Sequence, residues 1–188
     1  MTGRCPTGSV GFVAISHCVG RVDPAQGCRR GQISMAVLAN SLQFITTFVF
    51  GIFIGALVAE GALLVPFWKS LTAEEFHKLH PSFGPRLYRF YAPLTISATV
   101  ASLANLTISI YLSSARVVFS SITAACAIAM ILIYFYYFQN ANAQFAKGSL
   151  NEKELSELLA SWEKWHWSRV SVGIIGFGCL VKGGFVNG

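Results

Sequence analysis

The sequence predicts an all-α integral membrane protein: a bundle of four helices, with an amphipathic interfacial helix before the last membrane span. Three observations predict this fold. Hydrophobic residues make up 54% of the 188 residues and charged residues only 12%, about half the charged share of an average soluble domain. The apolar residues come in runs of about 20, the length that a helix needs to cross a bilayer. The basic residues, which give a net charge of +6, lie between these runs. They form no stripe for nucleic acid, so the lipid bilayer is the expected partner.

Residues 1–34 differ in composition from the rest of the chain. They carry four arginines, a single acidic residue and no uninterrupted apolar run. An Arg-rich, acid-poor segment is typical of organelle targeting peptides, but a disordered tail or initiation at Met35 explains it more simply. We therefore predict a disordered or cleavable tail over 1–34 and a transmembrane domain over 35–188.

The first predicted span covers residues 42–67 and ends at Pro66 and Trp68, where an interfacial aromatic residue is common. A polar loop over 69–92 follows it. In this loop Thr72 and Glu75 have the spacing of a capping box, which predicts a short helix from Ala73 to His80 that stops before Pro81.

The second and third predicted spans, 93–112 and 117–138, are separated by only four residues and therefore form a tight antiparallel hairpin. Asn105 lies midway along the second span, where an interhelical hydrogen bond is expected. In the polar segment 139–167, Ser149 and Glu152 again resemble a capping box. Leucine and tryptophan residues then recur at helical spacing, which predicts an amphipathic helix lying on the membrane.

The fourth predicted span covers 168–186. Arg169 and Lys182 bracket only about 18 Å of helix, so both side chains must snorkel if it crosses; an interfacial or re-entrant segment is the alternative. Four spans place both long loops on one side. These loops carry seven of the fourteen Lys and Arg residues, whereas the opposite hairpin turn has only Arg116. The positive-inside rule therefore assigns the loops to the cytoplasm or an organelle matrix, with both termini on the opposite side. The four arginines of residues 1–34 argue against this assignment unless the chain effectively starts near Met35.

Three groups of polar residues are candidates for chemistry. Glu60 lies about 10 Å inside the first apolar run, and a carboxylate at that depth indicates a functional site, or else a glutamate that fixes helix packing. His77 and His80 share one helical face and could bind a metal or be solvated loop residues. His166 and Arg169 are spaced in the same way within a tryptophan-rich segment that also suits an interfacial aromatic belt.

The predicted topology brings these groups to one membrane face. The first and third spans end there, and the fourth begins there. A single cleft beneath this face is therefore expected to collect a carboxylate, imidazoles, a guanidinium and amides. The residues are Glu60, His80, Asn140, Asn142, His166 and Arg169.

The motifs of this face resemble those of a known family. Residues 55–61 read GALVAEG, residues 64–68 read LVPFW, and Trp162, His166 and Arg169 form a Trp-x-x-x-His-x-x-Arg element. Over about residues 40–187 the chain resembles the small four-helix membrane proteins that include the anthrone oxygenases of aromatic polyketide pathways.

The resemblance implies oxidation of a hydroxyanthrone-like aromatic substrate by O₂ without an evident cofactor. His166 or Glu60 would be the base, and Arg169 with an asparagine would stabilise the oxyanion. A single iron or copper ion is the alternative, because Glu60, His80 and His166 make a two-His, one-carboxylate set. The candidate substrate-binding residues are Asn140, Asn142, Trp165 and Tyr137.

A non-catalytic role remains open beside the enzyme. The apolar faces and the glycine-rich last span also suit a homo-oligomer, or an accessory subunit of a larger membrane complex. A transporter fits less well, because the chain shows no inverted repeat and no run of intramembrane charges.

Overall fold

The computed structural model describes the backbone of residues 24–186 and the side chains of residues 34–186. Within this range every regular element is helical. The elements are α1 (Pro24–Ala59), the π-helical turn π1 (Glu60–Leu64), α2 (Val65–Lys69), α3 (Ala73–Tyr111), α4 (Val117–Ile133), the π-helical turn π2 (Tyr134–Phe138), α5 (Gln139–Lys147) and α6 (Glu152–Phe185).

These elements form four long helical rods. The first rod, 24–69, joins α1, π1 and α2 without a break; α3 is the second; the third, 117–147, joins α4, π2 and α5; α6 is the fourth. The predicted all-α class with four helices is therefore confirmed. Three of the rods are long and apolar enough to cross a membrane: residues 34–69, 73–111 and 117–147.

The chain divides into two compact units, 1–38 and 39–188. The smaller unit contains the start of α1, so the predicted tail overlaps a helix from Pro24 onwards. The rest of that prediction, residues 1–23, falls outside the described residues. Everything reported below belongs to the larger unit.

The second rod departs from the prediction at its prolines. The capping box is present, with the Glu75 amide donating to the Thr72 hydroxyl at 3.3 Å and the Thr72 amide donating to the Glu75 carboxylate at 2.9 Å. The helix then runs through Pro81 and two further prolines to Tyr111, so the predicted stop before Pro81 is wrong. Each proline removes one backbone donor, but buried side chains such as Phe76 hold the helix to its neighbours on either side.

The third rod is longer than predicted. It continues past 138 to Lys147 and ends at Gly148, which takes the left-handed conformation, with φ of 64°, that glycine favours after a helix. Asn140 and Asn142 therefore lie inside the helix, beyond the predicted end of the third span at 138. The signal that ends the helix is the glycine, ten residues beyond the predicted boundary at 138.

The fourth rod merges two predicted elements. Its capping box is formed by Asn151 and Glu154, two residues after the predicted pair. From there α6 continues without interruption to Phe185, so the separate interfacial helix predicted before the last span is wrong. The predicted apolar stripe is present. Its residues Leu155, Leu159 and Trp162 are buried within the bundle, so their apolar surface is stabilised by packing against the other rods and does not lie on the membrane surface.

Two hydrophobic cores stabilise the bundle. The first lies beside the connections 70–72 and 148–151, and the second is displaced from it toward the 112–116 hairpin turn, so we call them the loop-end core and the hairpin-end core. Central residues of the loop-end core are Trp68, Phe76, Phe138, Phe145 and Trp162. Central residues of the hairpin-end core are Phe50, Phe53, Leu57, Met130 and Leu180.

A buried hydrogen-bond network joins all four rods at the hairpin end. Asn105 donates to the side-chain oxygens of Gln43 at 2.8 Å and of Ser120 at 3.2 Å. Gln43 in turn donates to the Leu180 carbonyl at 2.7 Å. The predicted interhelical role of Asn105 is confirmed. Because its partners are satisfied, the network fixes the mutual register of the rods.

Candidate functional site

A cavity of about 620 Å³ lies among the four rods, next to the loop-end core. This volume is in the range of sites for drug-sized ligands. All four rods contribute to its lining. The polar or aromatic lining residues include Glu60, Trp68, His80, Tyr88, Tyr91, Tyr134, Phe135, Phe138, Asn142, Trp162 and Arg169.

Glu60 is the buried carboxylate of this cavity. It is the first residue of π1 and is only 7% exposed. Its Oε2 atom makes no hydrogen bond with any of the described residues. A buried carboxylate oxygen without a hydrogen bond costs free energy. The charged and polar neighbours of Glu60 therefore have to offset that cost.

Arg169 is the cationic neighbour of Glu60. Its Nη2 atom lies 3.8 Å from Glu60 Oε2, and its side chain is 11% exposed. The guanidinium also sits 4.6 Å from the centre of the Phe138 ring, a cation–π contact. Its Nε atom has no hydrogen-bond partner among the described residues. The pair is thus a buried ion pair in which each side chain keeps one buried atom without a hydrogen-bond partner among the described residues.

Tyr91 adds a hydroxyl to the same wall. It donates to the Ala56 carbonyl at 3.0 Å, and its hydroxyl lies within interaction range of the Glu60 carboxylate. The carboxylate, the guanidinium and the phenol come from three different rods, so their convergence depends on the packing of the whole loop end.

His166 lies behind this wall rather than on it. The side chain is fully buried and is absent from the cavity lining. Its Nε2 atom lies 2.8 Å from the Leu57 carbonyl, and because a carbonyl can only accept, Nε2 is the donor. The Nδ1 atom lies 3.8 Å from Glu60 Oε2. The ring therefore faces Glu60 and does not line the cavity.

Glycine at position 61 makes room for this histidine. A Cβ atom built there would meet the His166 ring at 2.9 and 3.0 Å and Trp167 at 3.0 Å. On its other side His166 stacks against Trp162 with a ring separation of 4.9 Å and an angle of 10°. The imidazole is held in one orientation from both faces.

The predicted metal set is not assembled. Over residues 34–186 no group of three or more His, Cys, Asp and Glu side chains is placed to hold a metal ion. Glu60 and His166 are close, but the His166 Nε2 atom is taken up by Leu57. His80 lines the cavity and stacks on Phe76 with a ring separation of 5.3 Å. His77 hydrogen-bonds the Leu150 carbonyl at 2.8 Å, which is a structural contact.

Of the four predicted substrate-binding residues, the structure brings one to the cavity. Asn142 lines it and accepts a hydrogen bond from Trp162 Nε1 at 3.2 Å. Asn140 is exposed. Tyr137 and Trp165 stack on each other with a ring separation of 5.3 Å, outside the cavity lining.

Four aromatic residues of the cavity lining are absent from the predicted site: Tyr88, Tyr91, Tyr134 and Phe138. Tyr88 and Tyr91 stand on the second rod, where a non-helical loop was predicted; with a continuous helix, their i, i+3 spacing would have placed them on one face. Tyr134 and Phe138 begin and end π2. No sequence signal marks either π turn, although π turns are frequent at functional sites.

This arrangement can bind a mostly apolar molecule that carries one acidic or hydroxyl group. The carboxylate can take up and return a proton, and the guanidinium can stabilise a developing oxyanion. Comparison of the chain with protein-family models, with curated proteins and with solved structures gives no match, so the site must be interpreted from its own geometry.

Proposed function

We propose that the chain is a multi-pass membrane protein with four spans, and that its cavity oxidises a phenolic or anthrone-type aromatic with O₂. The observation that carries the catalytic part is the Glu60–Arg169 pair. It is buried on the wall of a cavity of ligand size, and atoms of both side chains lack hydrogen-bond partners among the described residues.

The fourth span is supported by packing rather than by hydropathy. Gly173 and Gly176 of α6 pack closely against Ile54 and Phe50 of the first rod, and Thr123 donates to the Gly176 carbonyl at 3.0 Å. The C-terminal half of α6 thus lies beside segments that are apolar enough to cross. Arg169 lowers the mean hydropathy of α6, but it faces Glu60 inside the bundle and not lipid.

In the proposed reaction Glu60 takes a proton from an acidic phenol or methylene carbon. Arg169 stabilises the resulting anion. The anion reacts with O₂ at carbon to form a peroxide, which takes the proton back from Glu60. Loss of water from the peroxide leaves the ketone, so one methylene group and one O₂ yield one carbonyl and one H₂O. His166 acts through Glu60, because its Nδ1 atom faces the carboxylate and not the cavity.

The reaction is tested by O₂ uptake. The protein in nanodiscs is mixed with a hydroxyanthrone, and the rate is corrected for autoxidation in empty nanodiscs. We expect Glu60→Gln to lower the rate about 100-fold or more, the usual contribution of a general base. Glu157→Gln, at an exposed site on α6, should leave the rate unchanged.

Two results would overturn the catalytic proposal. One is a wild-type rate equal to autoxidation; the other is an unchanged rate in Glu60→Gln. Stable co-purification of other membrane subunits in the absence of turnover would favour the accessory-subunit alternative.

The topology is tested separately by cysteine labelling. We propose that both long loops face the cytoplasm or an organelle matrix. In a cysteine-free background, Ser82→Cys and Ala115→Cys should react with an impermeant maleimide from opposite sides of sealed vesicles. Labelling of both from the same side would show that the second rod does not cross the membrane and would exclude the four-span topology.

A further inference from the structure

The cavity has a long axis, which follows the second rod. Its lining residues on α3 recur every three or four positions from His80 to Ile96, so they form one face of the helix. Sixteen residues at 1.5 Å each give this face a length of about 24 Å. A cavity of this shape suits an extended molecule better than a compact one.

The polar groups are confined to one part of this length. His80 and Asn142 lie toward the loop end, and the Glu60–Arg169 pair lies at the level of Tyr91. Beyond that level the lining is apolar. Thr95 is no exception, since its hydroxyl donates to the Tyr91 carbonyl of its own helix at 2.8 Å.

The cavity also has an open side. Of its lining residues on the first and fourth rods, Glu60, Trp68 and Trp162 are buried, and the Arg169 side chain is only 11% exposed. On the second and third rods, by contrast, the lining includes residues that are largely exposed: Tyr88 at 63%, Ile96 at 61% and Phe135 at 60%. Both rods are apolar enough to cross a membrane, so this gap faces the bilayer if they do.

We propose that the gap between the second and third rods is a lateral portal, through which a membrane-dissolved amphiphile enters the cavity. Its phenolic or enolic head binds beside Glu60 and Arg169, and its alkyl or polyprenyl tail leaves between Ile96 and Phe135 into the lipid. The proposal deepens the proposed function, on which it rests for the identity of the head group, and it names the substrate class as a tailed phenol.

The portal is tested by ligand binding without oxygen. Tritiated 3-pentadecylphenol and 3-methylphenol are compared at equal mole fraction in the lipid of nanodiscs that hold the full chain. We expect the tailed phenol to bind at least tenfold more tightly. Glu60→Gln should weaken the binding of both phenols, since the head group is the same.

Portal variants test the route. Ile96→Trp and Ile131→Trp place a large ring in the gap and should slow association of the tailed phenol at least tenfold, whereas Ile96→Ala should not slow it. The matched controls Val100→Trp and Leu132→Trp stand on the same two rods at exposed positions that do not line the cavity. They should change the rate less than twofold.

Each outcome decides the proposal. Equal affinity for the two phenols, or equal effects of the portal and control tryptophans, would overturn it. Because binding is measured anaerobically, tail-selective binding without O₂ turnover would uphold the portal and refute the oxygenase. Turnover of a small hydroxyanthrone at a rate that the portal variants do not change would uphold the oxygenase and refute the portal.

Discussion

Replacement of Arg169 by methionine removes the guanidinium that lies 3.8 Å from the Glu60 carboxylate and keeps a side chain of similar length. At an effective dielectric constant of about 20, two unit charges at this separation interact by about 4 kcal/mol. We therefore expect Arg169→Met to destabilise the protein by roughly 3–5 kcal/mol, because it leaves a buried carboxylate without its counter-charge.

The pair is isolated by a double-mutant cycle. Glu60→Gln alone should also be destabilising, since it leaves the guanidinium unpaired. The double variant should lose much less than the sum of the two, with a coupling of about 2–4 kcal/mol. The free energy of unfolding is measured for all four proteins by titration with sodium dodecyl sulfate in mixed micelles, followed by circular dichroism.

The chain provides a matched control in the Lys69–Glu163 pair. These charges are closer, at 2.8 Å, but their side chains are 43% and 30% exposed. Solvent screens them, so the same cycle there should give a coupling below about 1 kcal/mol. Additive effects at Glu60 and Arg169, or a coupling no larger than that of the control, would refute the interpretation of the buried pair.

Two further predictions concern packing, and both use the same unfolding assay. Asn105→Leu removes two buried interhelical hydrogen bonds and should cost about 1–2 kcal/mol, whereas Asn140→Leu at an exposed position should change stability by less than about 0.5 kcal/mol. Gly61→Ala places a methyl group within 3.0 Å of the His166 ring and should cost about 1–3 kcal/mol. Gly55→Ala, whose Cβ meets nothing within 4 Å, should be neutral or stabilising by up to about 1 kcal/mol. A smaller effect of Asn105→Leu than of Asn140→Leu, or of Gly61→Ala than of Gly55→Ala, would contradict the corresponding packing argument.

Much of the fold follows from the sequence because apolar runs of membrane length leave few alternatives. The hairpin between the second and third rods follows from its short connection, which is predicted at four residues and observed at five. The collection of Glu60, His80, Asn142 and Arg169 around one cavity follows from helix order alone, since rods that alternate in direction bring those ends together.

The helix boundaries were harder to predict. Pro81 is a reliable stop signal only in a helix that is not stabilised by tertiary contacts. Here the neighbouring rods pack against α3 both before and after Pro81, so the helix continues through the proline. The polar composition of 139–147 suggested a loop, yet Ala141 and Phe145 are buried against the loop-end core and extend the third rod. Such tertiary contacts cannot be deduced from local composition.

The role of His166 could not be derived from spacing. Its position one helical turn before Arg169 predicts that both side chains lie on the same face of α6. In the structure, however, Arg169 lines the cavity, and His166 lies behind the residues that line it. The Leu57 carbonyl and the Trp162 ring decide which layer the imidazole occupies. Both contacts come from three-dimensional packing.

One π turn interrupts the first rod and the other interrupts the third rod, both at the level of the cavity. A π turn holds one residue more than the α-helical turn that it replaces, and one residue corresponds to about 100° of rotation in an α-helix. Deleting a single residue from 60–64 would therefore rotate the hairpin-end half of the first rod by about a quarter-turn relative to the loop-end half. Faces that carry Phe50 and Trp68 toward their separate cores would then no longer point inward together. Each π turn thus sets the rotation of one half of its rod relative to the other. The number of residues in the turn is therefore constrained even where the identity of its side chains is not.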